Sequence, residues 1–395
     1  MPLSNVEEKL VSCSTKASRR RPSRAFCLAI GLLLLACGQN GTTAPGSAGS
    51  SSGGVSGAAG VAATAGSGPA PVAGSGGSAA GGDAGAPSDA GASGIPIDDS
   101  PPCIPSESYP DPLLHQPAAT NIHDGSFGFL EGPLWVAAQA TLYYTNFSGG
   151  GSNGRIRRYR PGDGLQDIWL EAVGANGLAL DAAGSIVAAY HQQQRVIRLD
   201  LETKAIVPVP GGDQYQSSPF NSVNDVAVRD DGHIYLTDPM YQREDRPGQP
   251  VTGSYHLTPA GVVTLIDTQE APNGIALSPD GRTLYVGGTG ATHPLMKYTV
   301  ADDGSVATPG ISISDLPSDG MAVDCAGNLY LTTGGSSDGT IVVLDSNGAS
   351  LGSIAIDAAS GTTSAGFGGP GYKTLFVTTS SGGLFEVPMV VPGLP

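Results

Sequence analysis

Short apolar runs separated by turn residues recur along the chain, and the clearest copy spans residues 271–286. It reads A-P-N-G-I-A-L-S-P-D-G-R-T-L-Y-V. A short apolar run begins at Ile275, Asp280-Gly281 is a strong turn signal, and Leu284-Tyr285-Val286 has high β propensity. The unit therefore predicts a strand, a tight turn and a returning strand. A polar residue, Asn273, stands at its head, and we call Asn273 and its equivalents the head residues.

Five further stretches repeat this pattern, with successive head residues 45 to 49 positions apart. The second strand of each copy is predicted to begin 10 or 11 residues after the head, at Leu142, Ile186, Ile234, Leu284, Leu329 and Leu375. The head residues are Glu131, Asn176, Asn224, Asn273, Asp319 and Ser364. A period of 40 to 50 residues is typical of a propeller blade. The sequence thus predicts an all-β, six-bladed β-propeller, closed by a strand from within residues 109–129.

The start of the chain has a different character. Basic residues between Lys16 and Arg24 precede an apolar run, Phe26 to Ala36, that is too short to span a bilayer stably. We interpret residues 1–36 as an export signal. The run ends L-L-A-C-G, which resembles a bacterial lipobox and implies lipidation at Cys37; an ordinary cleaved signal is the alternative. The expected location is the bacterial cell envelope, as an outer-membrane lipoprotein, or outside the cell.

Residues 37–104 are rich in Gly, Ser and Ala and are predicted to be a flexible linker, because they offer little apolar surface to bury. Residues 105–395 are long enough for one large β domain. The formal net charge of −16 argues against nucleic acid as a partner and against direct contact with an anionic bilayer, so the membrane enters only through the lipid anchor. We expect a monomer.

Two cysteines, Cys103 and Cys325, remain after those assigned to the signal and to Cys37. In an exported protein they can form a disulfide, but their spacing does not show whether they are close in space. No Cys-x-x-Cys motif or histidine cluster accompanies them, which argues against a zinc site.

The head residues carry the candidate chemistry, because the first strand of each propeller blade lines the central channel. Four of them, Glu131, Asn224, Asn273 and Asp319, present carboxylate or amide oxygens. Two carboxylates with neutral carbonyl oxygens suit one hard divalent cation such as calcium. The alternative is that Asn-Gly and Asp-Gly merely form turns at the strand entrances. Against it, the predicted turn aspartates lie elsewhere in the repeat, at Asp181, Asp231, Asp280 and Asp324.

Four motifs carry a family resemblance: E-G-P-L-W at 131–135, N-S-V-N-D-V-A-V-R-D-D-G-H-I-Y-L-T-D-P at 221–239, P-N-G-I-A-L-S-P-D-G-R-T-L-Y-V at 272–286 and D-G-M-A-V-D-C-A-G-N-L-Y-L-T at 319–332. Together they resemble the gluconolactonase, regucalcin and luciferin-regenerating-enzyme superfamily over about residues 120–390. The resemblance implies a six-bladed propeller with one catalytic divalent cation, commonly Ca²⁺, with Zn²⁺, Mg²⁺ or Mn²⁺ as alternatives. It also implies hydrolysis of lactones or, in some relatives, organophosphates.

The resemblance assigns roles residue by residue. Glu131, Asn273 and Asp319 match metal ligands, Asn224 matches a residue that contacts the metal or the substrate, and Asp319 matches the general base. Many relatives carry a Lys or Arg where this chain has Pro219, and Ser364 replaces a common Asn. Without that basic group, neutral or apolar lactones are expected to be preferred over anionic ones.

Further side chains are candidates for substrate contact. Asn176, Ser222, Asn224 and Ser364 are expected to face the substrate. His191 is a candidate proton shuttle, the simpler alternative being a histidine satisfied between strands. Tyr215, Tyr241 and His293 fall in loops on the same side, where packing is the simpler interpretation.

These observations predict a metal-dependent lactone hydrolase in which Asp319 acts as general base. The alternative from another class is a non-catalytic, surface-tethered propeller that binds a ligand or a component of the cell envelope. Fold alone does not decide between them.

Overall fold

A computed structural model describes residues 103–104, 107–124, 127–147, 154–171, 173–243, 245–292, 294–334, 339–357 and 360–395. These residues belong to a compact unit formed by Ala86–Pro395. The predicted signal, Cys37 and nearly all of the predicted linker lie outside the described residues, as does His293. Within the described residues, no helix is long and apolar enough to cross a membrane.

The described chain forms strands and three short 3-10 helices, Ala137–Gln139, His191–Gln193 and Pro370–Tyr372. The first strand is β1 (Thr120–Asp124). Blade 1 contains β2 (Phe129–Val136), β3 (Thr141–Phe147), β4 (Arg155–Arg160) and β5 (Leu165–Leu170). Blade 2 contains β6 (Leu178–Leu180), β7 (Ile186–Tyr190), β8 (Arg195–Leu199) and β9 (Ile206–Pro208). A small hairpin follows, β10 (Gln214–Tyr215) and β11 (Ser218–Pro219).

Blade 3 contains β12 (Val226–Val228), β13 (Ile234–Asp238), β14 (Gly253–Leu257) and β15 (Val263–Thr268). Blade 4 contains β16 (Pro272–Leu277), β17 (Thr283–Gly288), β18 (Leu295–Thr299) and β19 (Ile311–Ser314). Blade 5 contains β20 (Met321–Val323), β21 (Leu329–Thr332), β22 (Thr340–Leu344) and β23 (Ser350–Ala355). Blade 6 contains β24 (Thr362–Gly368), β25 (Thr374–Thr379) and β26 (Gly383–Pro388).

Each blade is a four-stranded antiparallel sheet, and β1 supplies the fourth strand of blade 6. Thr120 pairs with Glu386 in this closure, so a strand from the start of the domain completes the last sheet, as predicted. The innermost strands contact one another in a ring: β2 packs against β6, β6 against β12, β12 against β16, β16 against β20, β20 against β24, and β24 against β2. The predicted six-bladed propeller is therefore confirmed.

The apolar core is divided among the six blade interfaces. One cluster of buried side chains lies between each pair of adjacent sheets, for example the cluster of Tyr143, Trp169 and Ile197 between blades 1 and 2. The second strands supply large buried side chains such as Tyr235, Tyr285 and Tyr330. Burial of these rings between sheets makes each blade depend on its neighbours, since a single sheet leaves both faces exposed.

The two ends of the propeller differ in what closes them. We call the end where the head residues lie the head end, and the end where the first two strands of each blade are joined the turn end. At the turn end, Cys103 and Cys325 form a disulfide, which answers the question that their spacing left open. The C-terminal segment lies beside it, because the Cys325 N–H donates to the Pro392 carbonyl at 2.8 Å.

Candidate active site at the head end of the channel

The six head residues stand where the innermost strands begin. Glu131, Asn273 and Ser364 lie within β2, β16 and β24. The other three, Asn176, Asn224 and Asp319, come two residues before the first residues of β6, β12 and β20. Five of the six are buried, and Asp319 is half-buried. Because the innermost strands form a closed ring, all six backbones meet around one end of the channel.

Glycines that follow the head residues bring the blades close together. A Cβ on Gly274 would lie 2.8 Å from the Asp319 carbonyl oxygen of the next blade, and one on Gly320 would lie 2.6 Å from Ser364 Oγ. Neither glycine has a positive φ, so their role is close approach rather than turn formation. The turn-former alternative for these Asn-Gly and Asp-Gly pairs is thus not what the geometry shows.

Among the described residues, the hydrogen bonds of the site's carboxylates come from an amide group and from backbone N–H groups. Asn273 Nδ2 donates to Asp319 Oδ1 at 2.5 Å, and Glu131 Oε2 accepts from the Gly132 N–H at 3.2 Å. A third carboxylate, Asp225, accepts from the N–H groups of Val226 at 2.9 Å and Ile275 at 3.2 Å. Asp225 therefore joins blade 3 to blade 4 directly beneath Asn273.

Burial and mutual repulsion act on all three acids. Burial raises the pKa of Glu131 well above its usual range, and the negative charges of Asp319 and then Asp225 raise it further. Burial raises the pKa of Asp319 to about 7, opposed by the hydrogen bond from Asn273 and reinforced by Asp225. Burial likewise raises the pKa of Asp225 to about 7. Buried carboxylates that repel one another are expected at a site where a bound cation would stabilise their negative charge.

The donor set fits a hard divalent cation. Glu131 and Asp319 offer two carboxylates, while Asn224 and Asn273 offer neutral amide oxygens, and oxygen ligands of this kind suit calcium better than softer metals. Within the described part of the chain, no group of three or more His, Cys, Asp or Glu side chains is arranged to hold a metal ion. Amide oxygens would therefore have to complete the set.

The other predicted site residues are placed less directly. His191 is fully buried, and its ring centroid lies 5.0 Å from that of Phe147. Ser222 is also fully buried; its N–H donates to Asp238 Oδ1 at 2.7 Å and its Oγ donates to Gln242 Oε1 at 2.9 Å. Neither side chain reaches the channel solvent, so neither can touch a substrate without rearrangement. Asn176 and Ser364 lie at the head end beside Gly132 and Gly320.

Two residues of the site were not among the site residues favoured from the sequence. Asp225 occupies the position after the head that is glycine in four of the other blades, so aligning the six copies would have singled it out. Tyr241 lies in the loop after β13, and its hydroxyl contacts Thr289 of blade 4. The sequence placed Tyr241 in a loop on the substrate side, with packing as the simpler interpretation, but its contact with blade 4 has no local signal, because Thr289 belongs to another blade.

A basic group does lie near the motif that lacks one. Arg243 donates through Nη1 to Asn221 Oδ1 at 2.8 Å and through Nε to the Arg246 carbonyl at 2.7 Å. Arg246 in turn donates through Nε to the Arg243 carbonyl and through its two Nη groups to the carbonyls of Gln192 and Gln242. These guanidinium groups hold the loop in place, and their hydrogen bonds are made to the protein.

Below the head residues, a cavity of about 450 Å³ continues along the channel. Its walls come from the innermost strands, and it extends from Asp225 and Ser364 to Asp280, Cys103 and the C-terminal Pro395. The protein therefore belongs to the class of six-bladed β-propellers that carry an acidic, oxygen-rich site at one mouth of the central channel.

Residues 129–381 match the family described as SMP-30/Gluconolactonase/LRE-like region, and the chain belongs to this family. It is 28% identical over 282 residues to a gluconolactonase of Zymomonas mobilis, covering 63% of this chain and 76% of that protein. It is 28% identical over 280 residues to a pentonolactonase of Haloferax volcanii, covering 67% of this chain and 85% of that protein. A solved structure of a gluconolactonase from Xanthomonas campestris superposes with a TM-score of 0.60 at 27% identity, covering 70% of this chain and 90% of that one. The family resemblance read from the motifs is confirmed.

Proposed function

We propose that this protein is a divalent-metal-dependent lactone hydrolase. The observation that carries the proposal is the group of facing acids, Glu131, Asp225 and Asp319, with Asn273 at the mouth of the channel, in a chain whose relatives are named as lactonases. Glu131, Asn224, Asn273 and Asp319 would hold the cation, with calcium as the expected ion. When bound, such a cation supplies Lewis-acid polarisation of the ester carbonyl.

The chain's own residues supply the proton chemistry. Asp319 accepts a proton from water as the water oxygen adds to the carbonyl carbon of the lactone. The ring C–O bond then breaks, and the proton passes to the departing oxygen, which gives a hydroxy acid. The hydrogen bond from Asn273 Nδ2 holds the Asp319 carboxylate in one orientation. His191 remains a candidate second proton carrier, but its full burial makes Asp319 the better one.

The test is a panel of lactones assayed with purified protein before and after chelation. The panel includes δ-gluconolactone, a pentonolactone and δ-valerolactone, and hydrolysis is followed as acid release. We expect activity that disappears with chelator and returns with calcium. Zinc, magnesium and manganese are added in parallel to identify the ion. Hydrolysis that survives full metal removal would contradict metal dependence, and absence of hydrolysis across the panel would favour the ligand-binding alternative.

We also propose that the protein is exported and tethered through a lipid on Cys37. The disulfide between Cys103 and Cys325 supports export, because such bonds persist in oxidising compartments. Cys37→Ser should move the protein from the membrane fraction to the soluble fraction while lactonase activity per molecule stays the same. If Cys37→Ser stays with the membranes, the lipid anchor is wrong.

A further inference from the structure

The loop between β13 and β14, residues 239–252, joins two strands of blade 3 at the head end and contacts blade 4 through Tyr241. Near its start, the Tyr241 hydroxyl lies 2.5 Å from Thr289 Oγ1 and donates to the Ala271 carbonyl at 3.3 Å. Either hydroxyl can donate in the first contact. Ala271 stands two residues before Asn273, so the phenol is fixed beside a proposed metal ligand.

Tyr241 is also electrostatically connected to the site. Burial of its hydroxyl raises the pKa of Tyr241; a hydrogen bond with Thr289 opposes the rise, the negative charge of Asp319 adds to it, and a hydrogen bond with Asn273 opposes it. Asn273 Nδ2 in turn donates to Asp319 Oδ1. Tyr241 thus lies at the rim of the mouth, close to the hydrogen-bonded pair of Asn273 and Asp319.

Apart from its anchored hydroxyl, the Tyr241 side chain is exposed to solvent. Tyr241 is 43% exposed, and two other apolar side chains of the same loop, Met240 at 48% and Val251 at 38%, are exposed as well. Gln242, which follows Tyr241, anchors the loop: its Oε1 accepts from the buried Ser222 hydroxyl, and its N–H donates to the same hydroxyl. An aromatic ring whose polar end is anchored and whose body is exposed binds a ligand at low entropic cost.

The two arginines of the loop make their hydrogen bonds to the protein. Arg243 and Arg246 direct their hydrogen bonds to Asn221 and to backbone carbonyls, as described above. The large exposed side chains of the loop, Met240, Tyr241 and Val251, are uncharged, and the exposed charged side chain beside them, Asp245, is acidic. A neutral ligand with an apolar portion matches this surface better than an anionic one.

We propose that Tyr241 is a substrate-binding residue whose ring supports the lactone ring and directs the ester carbonyl towards Asn273 and Asp319. The inference rests on the proposed lactone hydrolase function. It further commits the substrate class to neutral lactones that carry an apolar substituent.

Steady-state kinetics on δ-valerolactone and the alkyl-substituted δ-decalactone test the proposal. Loss of an apolar contact is worth about 10- to 200-fold in discrimination, so Tyr241→Ala should raise KM for δ-decalactone by at least about tenfold, while kcat changes by less than about threefold. The increase should be smaller for δ-valerolactone, which lacks the apolar chain. Calcium affinity, measured by calorimetry, should equal that of the wild type.

A double-mutant cycle tests the anchoring of the ring. Tyr241→Phe and Thr289→Val each remove one hydroxyl of the same contact, so each should raise KM about threefold, and the double variant should be no worse than the poorer single one. Tyr215→Phe is the matched control. Its hydroxyl accepts from Gln216 Nε2 within its own hairpin, and its removal should leave KM unchanged.

The outcomes separate this inference from the proposed function. If the wild type hydrolyses lactones and Tyr241→Ala has an unchanged KM, the function stands and the role of Tyr241 is wrong. If Tyr241→Ala loses calcium affinity, or loses kcat with KM unchanged, the residue only supports Asn273, and the inference is again wrong. If the wild type hydrolyses no lactone, the proposed function falls and this inference falls with it.

Discussion

The head end and the turn end of the channel are built from the same residue types but use them differently. At the turn end, an aspartate closes its own turn: Asp181 Oδ1 accepts from the N–H groups of Ala183 at 3.0 Å and Ser185 at 2.9 Å. Asp324 Oδ1 does the same with Ala326 and Asn328. The glycines there, such as Gly184 at φ +79°, take the left-handed conformation that a side chain disfavours.

At the head end, the carboxylates lack such local partners for most of their oxygens. Glu131 and Asp319 act on one another across the ring, and the nearby glycines make room for the next blade's backbone. An aspartate satisfied by its own turn is structural, whereas aspartates that repel one another across blades form a site with a demand for positive charge. Position within the repeat therefore decides the role, and residue type alone does not.

The largest expected effect comes from substituting the same residue type at the two ends. Asp319→Asn keeps an amide oxygen that can ligate the cation but removes the proton acceptor, so kcat should fall about 10²- to 10⁴-fold and should not recover at saturating calcium. Asp280→Asn is the control, because this turn aspartate is exposed and bonds to Arg282 N–H and Ser278 of its own turn. Its kcat should match the wild type.

Glu131→Gln sharpens the same test. Glu131 is expected to act through the metal alone, so Glu131→Gln should weaken calcium affinity and regain part of its activity as calcium is raised. If Asp319→Asn also regains wild-type turnover at saturating calcium, Asp319 is a ligand only. The base must then be sought elsewhere, with His191 as the next candidate.

The repeat made the fold predictable. Six copies of one unit agree on the strands, and all six predicted second-strand residues, from Leu142 to Leu375, lie in the second strand of their blade. The turn aspartates Asp181 and Asp324 were also identified correctly from their phase in the repeat. Repetition is a strong signal because each unit must pack against a copy of itself.

Contacts between blades were harder to predict. The disulfide joins residues 222 positions apart, and Tyr241 meets Thr289 only because a loop of blade 3 reaches blade 4. Gly274 shows the same limit: Asn-Gly is a turn signal locally, whereas a Cβ on this glycine would contact the Asp319 backbone of the next blade. A local sequence pattern predicts the strand in which it occurs, whereas these features depend on contacts with another blade.

The disulfide gives the next largest effect and belongs to the turn end alone. Replacing both Cys103 and Cys325 with Ser should lower the free energy of unfolding by about 2–4 kcal/mol, since the unfolded chain is no longer constrained. Because the disulfide lies at the opposite end of the channel from the head residues, kcat and calcium affinity should stay unchanged. Denaturant unfolding and steady-state kinetics on the double variant measure both. A fall in kcat in the folded variant would show that the two ends are coupled.

The smallest expected difference compares two glycines of blade 2: Gly177, just before β6 at the head end, and Gly184, in the turn between β6 and β7. A Cβ on Gly177 would lie 2.0 Å from Asp225 Oδ1 and 2.8 Å from Asp225 Cα, so Gly177→Ala must displace blade 3 beside Asn224. Gly184 has nothing within 4 Å of such a Cβ, and Gly184→Ala meets only the strain of its positive φ. We expect losses of about 1–3 kcal/mol and about 1 kcal/mol in unfolding free energy, respectively. These values overlap, so calcium affinity is the deciding measurement: it should weaken in Gly177→Ala and stay at the wild-type value in Gly184→Ala. Equal calcium affinities in the two variants would mean that the head residues tolerate displacement of a blade, and that close packing at the head end is not what positions the ligands.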